Sequence, residues 1–303
     1  MSLIDITALN RSFGIPGQLD FREAPEGLAL AKISNAYAEA TVYLQGAHLT
    51  EWTPHGQAPV LWLSARAVYA KAKAIRGGVP ICWPWFGAHP DNPGLPAHGV
   101  ARTSVWQVTG SGGREDGSTW LAFCLPPSDL SLWPHTTPVE IRLTVGKSLE
   151  IELSTRNLGG EPVVIGQALH AYFHVGDVRQ ARILGLDGCP YVDKTDGGRR
   201  KTQAGPLSIA AEVDRIYLDS RADCLIEDPV LGRRIRIRKT GSASTIVWNP
   251  WAGKSAQLAD LGPDAYLRMV CVESSNADED RVSLAPGAEH RLSVSYGVEE
   301  MEG

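Results

Sequence analysis

The chain has 303 residues, 43% of them hydrophobic and 21% charged, with a net charge of −5. That length allows one large domain or two ordinary ones, the apolar share suffices for a sizeable core, and the acidic balance argues against a general affinity for nucleic acid. No uncharged apolar run approaches the roughly 20 residues of a membrane helix, and Met1-Ser2-Leu3-Ile4-Asp5 lacks the basic start and apolar core of a secretion signal, so a soluble, cytoplasmic protein is expected.

Signals along the chain are mostly those of strands. Residues 38–44, 60–63 and 104–109 read as strands, and the polar, glycine-rich 110–117 reads as a loop leading into another at 119–123. Residues 139–145 alternate cleanly, turn at Gly146-Lys147 and return as 149–154. A further alternating run covers 163–176, and later strands are expected at 222–227, 233–238, 244–248, 267–273 and 291–297. In 234–238 arginines alternate with isoleucines, the pattern of an amphipathic strand with a solvated side. A sustained period of about 3.6 residues is almost absent, so helices should be few and short. Short strands with frequent turn signals, no linker-like stretch and no internal repeat point to one large antiparallel β-sandwich domain over 1–303.

The five cysteines are scattered singly, with no Cys-x-x-Cys pair, which argues against a disulfide framework or a structural zinc site. Buried reduced thiols are expected. No glycine-rich phosphate loop follows a strand, so neither nucleotide nor other cofactor is indicated.

Candidate chemistry gathers in a few stretches. Within 71–87, Arg76-Gly77-Gly78 precedes Pro80, and Trp83, Trp85 and Phe86 crowd one loop, either as a carbohydrate cleft or as loop packing. Arg76 has a fork suited to phosphate or carboxylate. His98 and Arg102 lie in a glycine- and proline-marked loop. In Gln167-Ala168-Leu169-His170-Ala171-Tyr172-Phe173-His174-Val175, a two-residue period puts His170, Tyr172 and His174 on one face. Two imidazoles and a phenol suit the floor of a cleft better than a closed core, and histidine is the side chain best fitted to move protons near neutrality. Val270-Cys271-Val272-Glu273 ends an apolar run on a carboxylate, costly unless it is paired or faces a polar cavity. Asp214 and Trp248-Asn249-Pro250-Trp251 add polar groups beside aromatics or bends.

Taken together, Arg76-Gly77-Gly78-x-Pro80, Pro84-Trp85-Phe86-Gly87, Leu95-Pro96-x-His98-Gly99-x-Ala101-Arg102, Leu169-His170-x-Tyr172-Phe173-x-Val175-Gly176-Asp177, Val213-Asp214-Arg215, Trp248-Asn249-Pro250 and Val270-x-Val272-Glu273 resemble the glucose-6-phosphate 1-epimerase branch of the aldose 1-epimerase family, over roughly residues 35–298. The resemblance implies a β-supersandwich of the galactose mutarotase type and interconversion of the α and β anomers of a hexose 6-phosphate. It implies that His170 is the acid and Glu273 the base, that Asp214 and His98 bind substrate, and that Arg76 and Arg102 bind it through the phosphate. No metal or cofactor is implied, and the partner is a small sugar phosphate acted on by a monomer. Ala97, Val100 and Ser274-Ser275 depart from common residues of the pattern, which bears on sugar specificity and leaves the acid–base pair intact.

Three other readings stay open on the residues alone. A β-sandwich glycosidase could use Glu273 with Asp214, a non-catalytic carbohydrate-binding module would suit the nine tryptophans, and a metal enzyme could ligate through His170 and His174.

Overall fold

Two large antiparallel sheets carry the alternating segments of the sequence, and the computed structural model describes residues 4–89, 91–127 and 131–301. In the nine-stranded sheet, Val139–Val145 and Leu149–Arg156 form a hairpin. Its valine, leucine and isoleucine side chains are buried, while Glu140, Arg142 and Glu150 point outward. The strand Arg233–Thr240 behaves as its pattern requires. Ile235 and Ile237 are buried, and Arg234, Arg236 and Arg238 pair with Glu227, Glu299 and Asp223.

The eight-stranded sheet is built around Met269–Asn276, which lies between Ser244–Asn249 on one side and Gln167–Leu169 and Tyr172–His174 on the other. All eight residues of that strand are buried, because both of its faces are covered. Val270 and Val272 join the main core shared with the nine-stranded sheet, where Phe173 meets Tyr296 edge to face at 5.0 Å. Met269 and Cys271 belong to a separate cluster with Trp62 and Tyr172 on the opposite face. Glu273, two residues further along the strand, points the same way as Cys271.

A four-stranded sheet spans Leu19–Glu23 to His48–Pro54, and the α-helices among the described residues are the short Ile6–Phe13 and Trp251–Gln257. No helix of the described residues is long and apolar enough to cross a membrane. The architecture is the expected antiparallel supersandwich.

The structure differs from the sequence reading at several points, among them the strand expected at 104–109, which begins only at Gln107, and the one expected at 267–273, which is Met269–Asn276. Residues 60–63 form no regular strand and make only the isolated bridges Leu61–Phe173 and Leu63–Gly77. The expected loop at 110–117 is strand as far as Gly113, within Gln107–Gly113. The glycines are there for Trp120, whose Nε1 would lie 2.6 Å from a Cβ on Gly112. All five cysteines are free, but Cys124 and Cys189 are only partly buried.

Candidate active site

The run from Gln167 to His174 is two short strands separated by His170-Ala171, both paired to Met269–Asn276. At the interruption the His170 N–H leaves the ladder and donates to the Pro80 carbonyl at 3.0 Å. The register is the same on both sides, with Leu169 opposite Ser274 and Tyr172 opposite Cys271. His170 therefore stands opposite Glu273, and its Nε2 is 3.3 Å from Oε1. That contact lacks hydrogen-bond alignment. Both Glu273 oxygens and His170 Nδ1 are buried without a hydrogen-bond partner among the described residues. Orphaned buried groups cost about 1–3 kcal/mol each. Three at one point concentrate an unusual stability cost at the contact between His170 and Glu273.

Their electrostatics follow from burial. Glu273 is 1% exposed, and its carboxyl is pushed well above the usual range by burial and then by Asp214, against the pull of Arg102. His170 is pushed well below its ordinary value by burial, and further by His98, Arg102 and Arg76. Each group favours its uncharged form, so the two share one proton between them.

The surrounding side chains form rows across the sheet. Asp214, Trp248, Cys271 and Tyr172 are successive cross-strand neighbours on one face, and Ile216, Ile246, Glu273 and His170 make the adjacent row. The His170 ring stacks on Tyr172 at 4.9 Å, Tyr172 stacks on Trp62 at 6.0 Å, and Trp248 stands edge-on to both His170 and Tyr172. The Asp214 side chain has no hydrogen bond or ion pair among the described residues, and burial raises its carboxyl.

Arg76 donates to the Tyr172 hydroxyl at 3.0 Å and holds Asp260 through Nε at 3.1 Å and Nη2 at 3.3 Å. Burial works against its charge, and Tyr172 and Asp260 more than restore it. Gly77 and Gly78 make this segment possible. Gly78 has φ +63°, and a Cβ there would lie 2.3 Å from the Leu49 carbonyl. Buried His48 donates from Nε2 to the Gly77 carbonyl at 2.7 Å.

His98 adopts φ +67°, and next to it a Cβ on Gly99 would meet the Trp83 carbonyl at 1.9 Å. Its Nδ1 accepts the Gly87 N–H at 3.3 Å and lies 3.4 Å from Cys82 Sγ. An acceptor at Nδ1 leaves the proton on Nε2. Burial, with Arg102, Arg76 and Lys194, pushes His98 down to about 3, so it is a neutral donor. Its ring lies edge-on to His170 at 5.9 Å. Arg102 donates to the Ala97 carbonyl at 2.9 Å and has no carboxylate partner among the described residues.

The expected residues thus converge on one face of the eight-stranded sheet, with His170 and Glu273 in contact, His98 edge-on to His170, Asp214 in the adjacent row and Arg76 joined through Tyr172. Arg102 is linked by its charge, which is felt at His170, Glu273 and His98. His174 shares their face by register but is half-buried, with Nδ1 3.3 Å from the Pro59 carbonyl. Sequence reasoning missed Asp260 and the contribution of Trp62, and no local pattern could have announced either.

A cation could be offered His170, Cys271 and Glu273, whose ligand atoms lie within 4.8 Å of one another. The Cys271 thiol, however, is pushed well up by burial and by Glu273, and thiolate is the ligating form. The donor set fits proton transfer better than metal binding.

The aldose 1-epimerase family profile matches residues 30–297. The chain belongs to the aldose 1-epimerase family. A relative from Salmonella typhimurium, provisionally named glucose-6-phosphate 1-epimerase, is 36% identical over 256 residues, 84% of this chain and 85% of that protein. One from Cenchrus ciliaris with the same provisional name is 33% identical over 290 residues, 91% of this chain and 86% of its own. Among solved structures, a provisionally assigned mutarotase from Salmonella typhimurium superposes with a TM-score of 0.88 at 33% identity, covering 95% of this chain and 96% of that one. The galactose 1-epimerase of Lactobacillus acidophilus, at 13% identity and a TM-score of 0.67 over 94% of this chain and 99% of its own, shares the fold. In this aldose 1-epimerase the imidazole of His170 and the carboxylate of Glu273, which meet across two neighbouring strands, lie inside the matched region.

Proposed function

We propose that the protein interconverts the α and β anomers of a hexose 6-phosphate, glucose 6-phosphate foremost, with Glu273 as base and His170 as acid. The observation that carries this is the 3.3 Å approach of His170 Nε2 to Glu273 Oε1. O1 and the ring oxygen O5 are bonded to the same carbon, so two proton-transfer groups in contact with each other can serve both at once.

With the shared proton on His170, Glu273 takes the O1 proton while His170 delivers its proton to O5, and the C1–O5 bond breaks. The product is the open-chain aldehyde facing a neutral carboxyl and a neutral imidazole. Burial favours that uncharged pair, so the protein stabilises the state in which the sugar is open. Rotation about C1–C2 presents the other face of the aldehyde. Reclosure returns the O5 proton to His170 and a proton from Glu273 to O1. No redox change occurs and no group is lost.

His98 offers a neutral N–H to a sugar oxygen, and Asp214 accepts from a hydroxyl. Arg102, with no carboxylate to neutralise it, binds the phosphate. Arg76, already paired with Asp260, chiefly fixes Tyr172 beneath His170. A cytoplasmic location accords with a charged substrate that does not cross membranes unaided.

The test is anomer exchange on glucose 6-phosphate, followed by NMR saturation transfer. Exchange well above the spontaneous rate is expected. Binding without exchange would assign the protein to the carbohydrate-binding modules, and release of reducing sugar from an oligosaccharide would assign it to the glycosidases.

A further inference from the structure

Beside the catalytic pair opens a cavity of about 670 Å³ lined by Phe86, Trp133, Gly166, Lys194, Ile216 and Arg281, among others. Two contacts join it to the site. Phe86 lies edge-on to His98 at 4.8 Å, and Ile216 belongs to the same cross-sheet row as Glu273 and His170.

Lys194 stands at this junction. Pro190–Asp193 pairs with Val213–Tyr217 in a register that sets Asp193 opposite Arg215, so the next residue, Lys194, comes level with Asp214. Its local acids are already engaged. Asp193 caps the Lys194–Asp196 turn through the Thr195 N–H and binds Lys201 at 2.8 Å, while Asp196 is held by Lys201 and Arg199. Lys194 itself is exposed, with no hydrogen bond or ion pair among the described residues. Its charge is felt at both His98 and Asp214. Of the cavity's other charges, Asp91 and Asp278 oppose Arg281, so the cavity as a whole favours neither sign and its pull on an anion resides in Lys194.

We propose that Lys194 is a specificity-determining residue that binds the phosphate of the substrate together with Arg102. The inference rests on the epimerase reading for its substrate. Lys194 and Phe86 line one cavity, and Phe86 lies edge-on to His98, whose ring also feels the charges of Arg102 and Lys194. A dianion bound in this cavity meets the ammonium of Lys194, with Phe86 available to the sugar carbons.

The experiment compares wild type with Lys194→Met and Lys194→Arg on glucose 6-phosphate and on glucose. In Lys194→Met, KM for the phosphorylated sugar should rise at least about tenfold, the loss of one charged hydrogen bond. Turnover at saturation and all constants for glucose should stay as in wild type, and Lys194→Arg should recover most of the affinity. Inorganic phosphate should lose potency as a competitive inhibitor by the same factor. Unchanged KM, or an equal rise for both sugars, overturns the proposal. If wild type turns over neither sugar, the epimerase reading fails separately. Calorimetric binding of glucose 6-phosphate and glucose then decides on Lys194, and equal phosphate discrimination by wild type and Lys194→Met overturns it.

Discussion

His170 and Glu273 oppose each other in a single antiparallel register, although the ladder between their strands is broken at His170 itself. The break frees the imidazole from regular pairing, and the unbroken strand holds the carboxylate rigidly against it. Neither group has the hydrogen bonds that a buried polar residue normally requires.

Removing either member of the pair should abolish proton transfer with the fold intact. His170→Asn or Glu273→Gln is expected to lower kcat by at least about a hundredfold, the usual contribution of one positioned acid or base. Steady-state kinetics with circular dichroism on each variant checks this.

Stability should depend on pH through the same pair. In the unfolded chain Glu273 and His170 titrate near their ordinary 4.5 and 6.5, so between those values the two groups carry one proton, as they do when folded. As pH rises above 6.5 the unfolded chain loses that proton while the raised Glu273 carboxyl keeps it. Stability then falls by up to about 1.4 kcal/mol per pH unit. As pH falls below 4.5 the unfolded chain binds a second proton that the lowered His170 refuses, and stability falls again. In Glu273→Gln neither state carries a proton on these positions at alkaline pH. The variant's unfolding free energy should therefore gain on wild type as pH rises from about 6 to 8, and parallel pH curves in denaturant melts would contradict this.

The two arginines should separate in their effects. Arg102 has no carboxylate partner, so Arg102→Ala should raise KM for glucose 6-phosphate about tenfold or more and leave glucose nearly untouched. Arg76→Ala removes the donor from Tyr172 and strands Asp260. It should impair both sugars alike and cost about 1–3 kcal/mol of stability. Comparing kcat/KM for the two sugars in each variant, beside a thermal melt, distinguishes these outcomes.

Gly78→Ala should destabilise strongly. It combines a left-handed φ of +63° with a Cβ 2.3 Å from the Leu49 carbonyl. The left-handed conformation costs about 1–2 kcal/mol and the overpacking a further 1–3 kcal/mol or so. An unchanged denaturant midpoint would mean that the backbone has room to shift.

Much of the fold was legible because alternation is local. The hairpin at 139–156, the arginine–isoleucine strand and the buried strand that carries Glu273 follow from side-chain period and turn residues, although that last strand runs on to Asn276. The pairing of His170 with Glu273 came from motif resemblance, since neither period nor spacing fixes which distant strands meet. What stayed hidden depends on long-range packing. Arg76 meets Asp260 across 184 positions, and Gly110 and Gly112 belong to a strand because Trp120 covers them. Residues 60–63 look like a strand but make only isolated bridges, to Phe173 in a strand and to Gly77 in a loop, with Trp62 stacked on Tyr172.

The most direct measurement is saturation transfer between the α and β anomeric protons of glucose 6-phosphate with wild type, His170→Asn and Glu273→Gln at equal concentration. Rapid exchange with wild type and near-spontaneous exchange with both folded variants is the predicted result. Exchange at close to the wild-type rate by either variant would contradict the account.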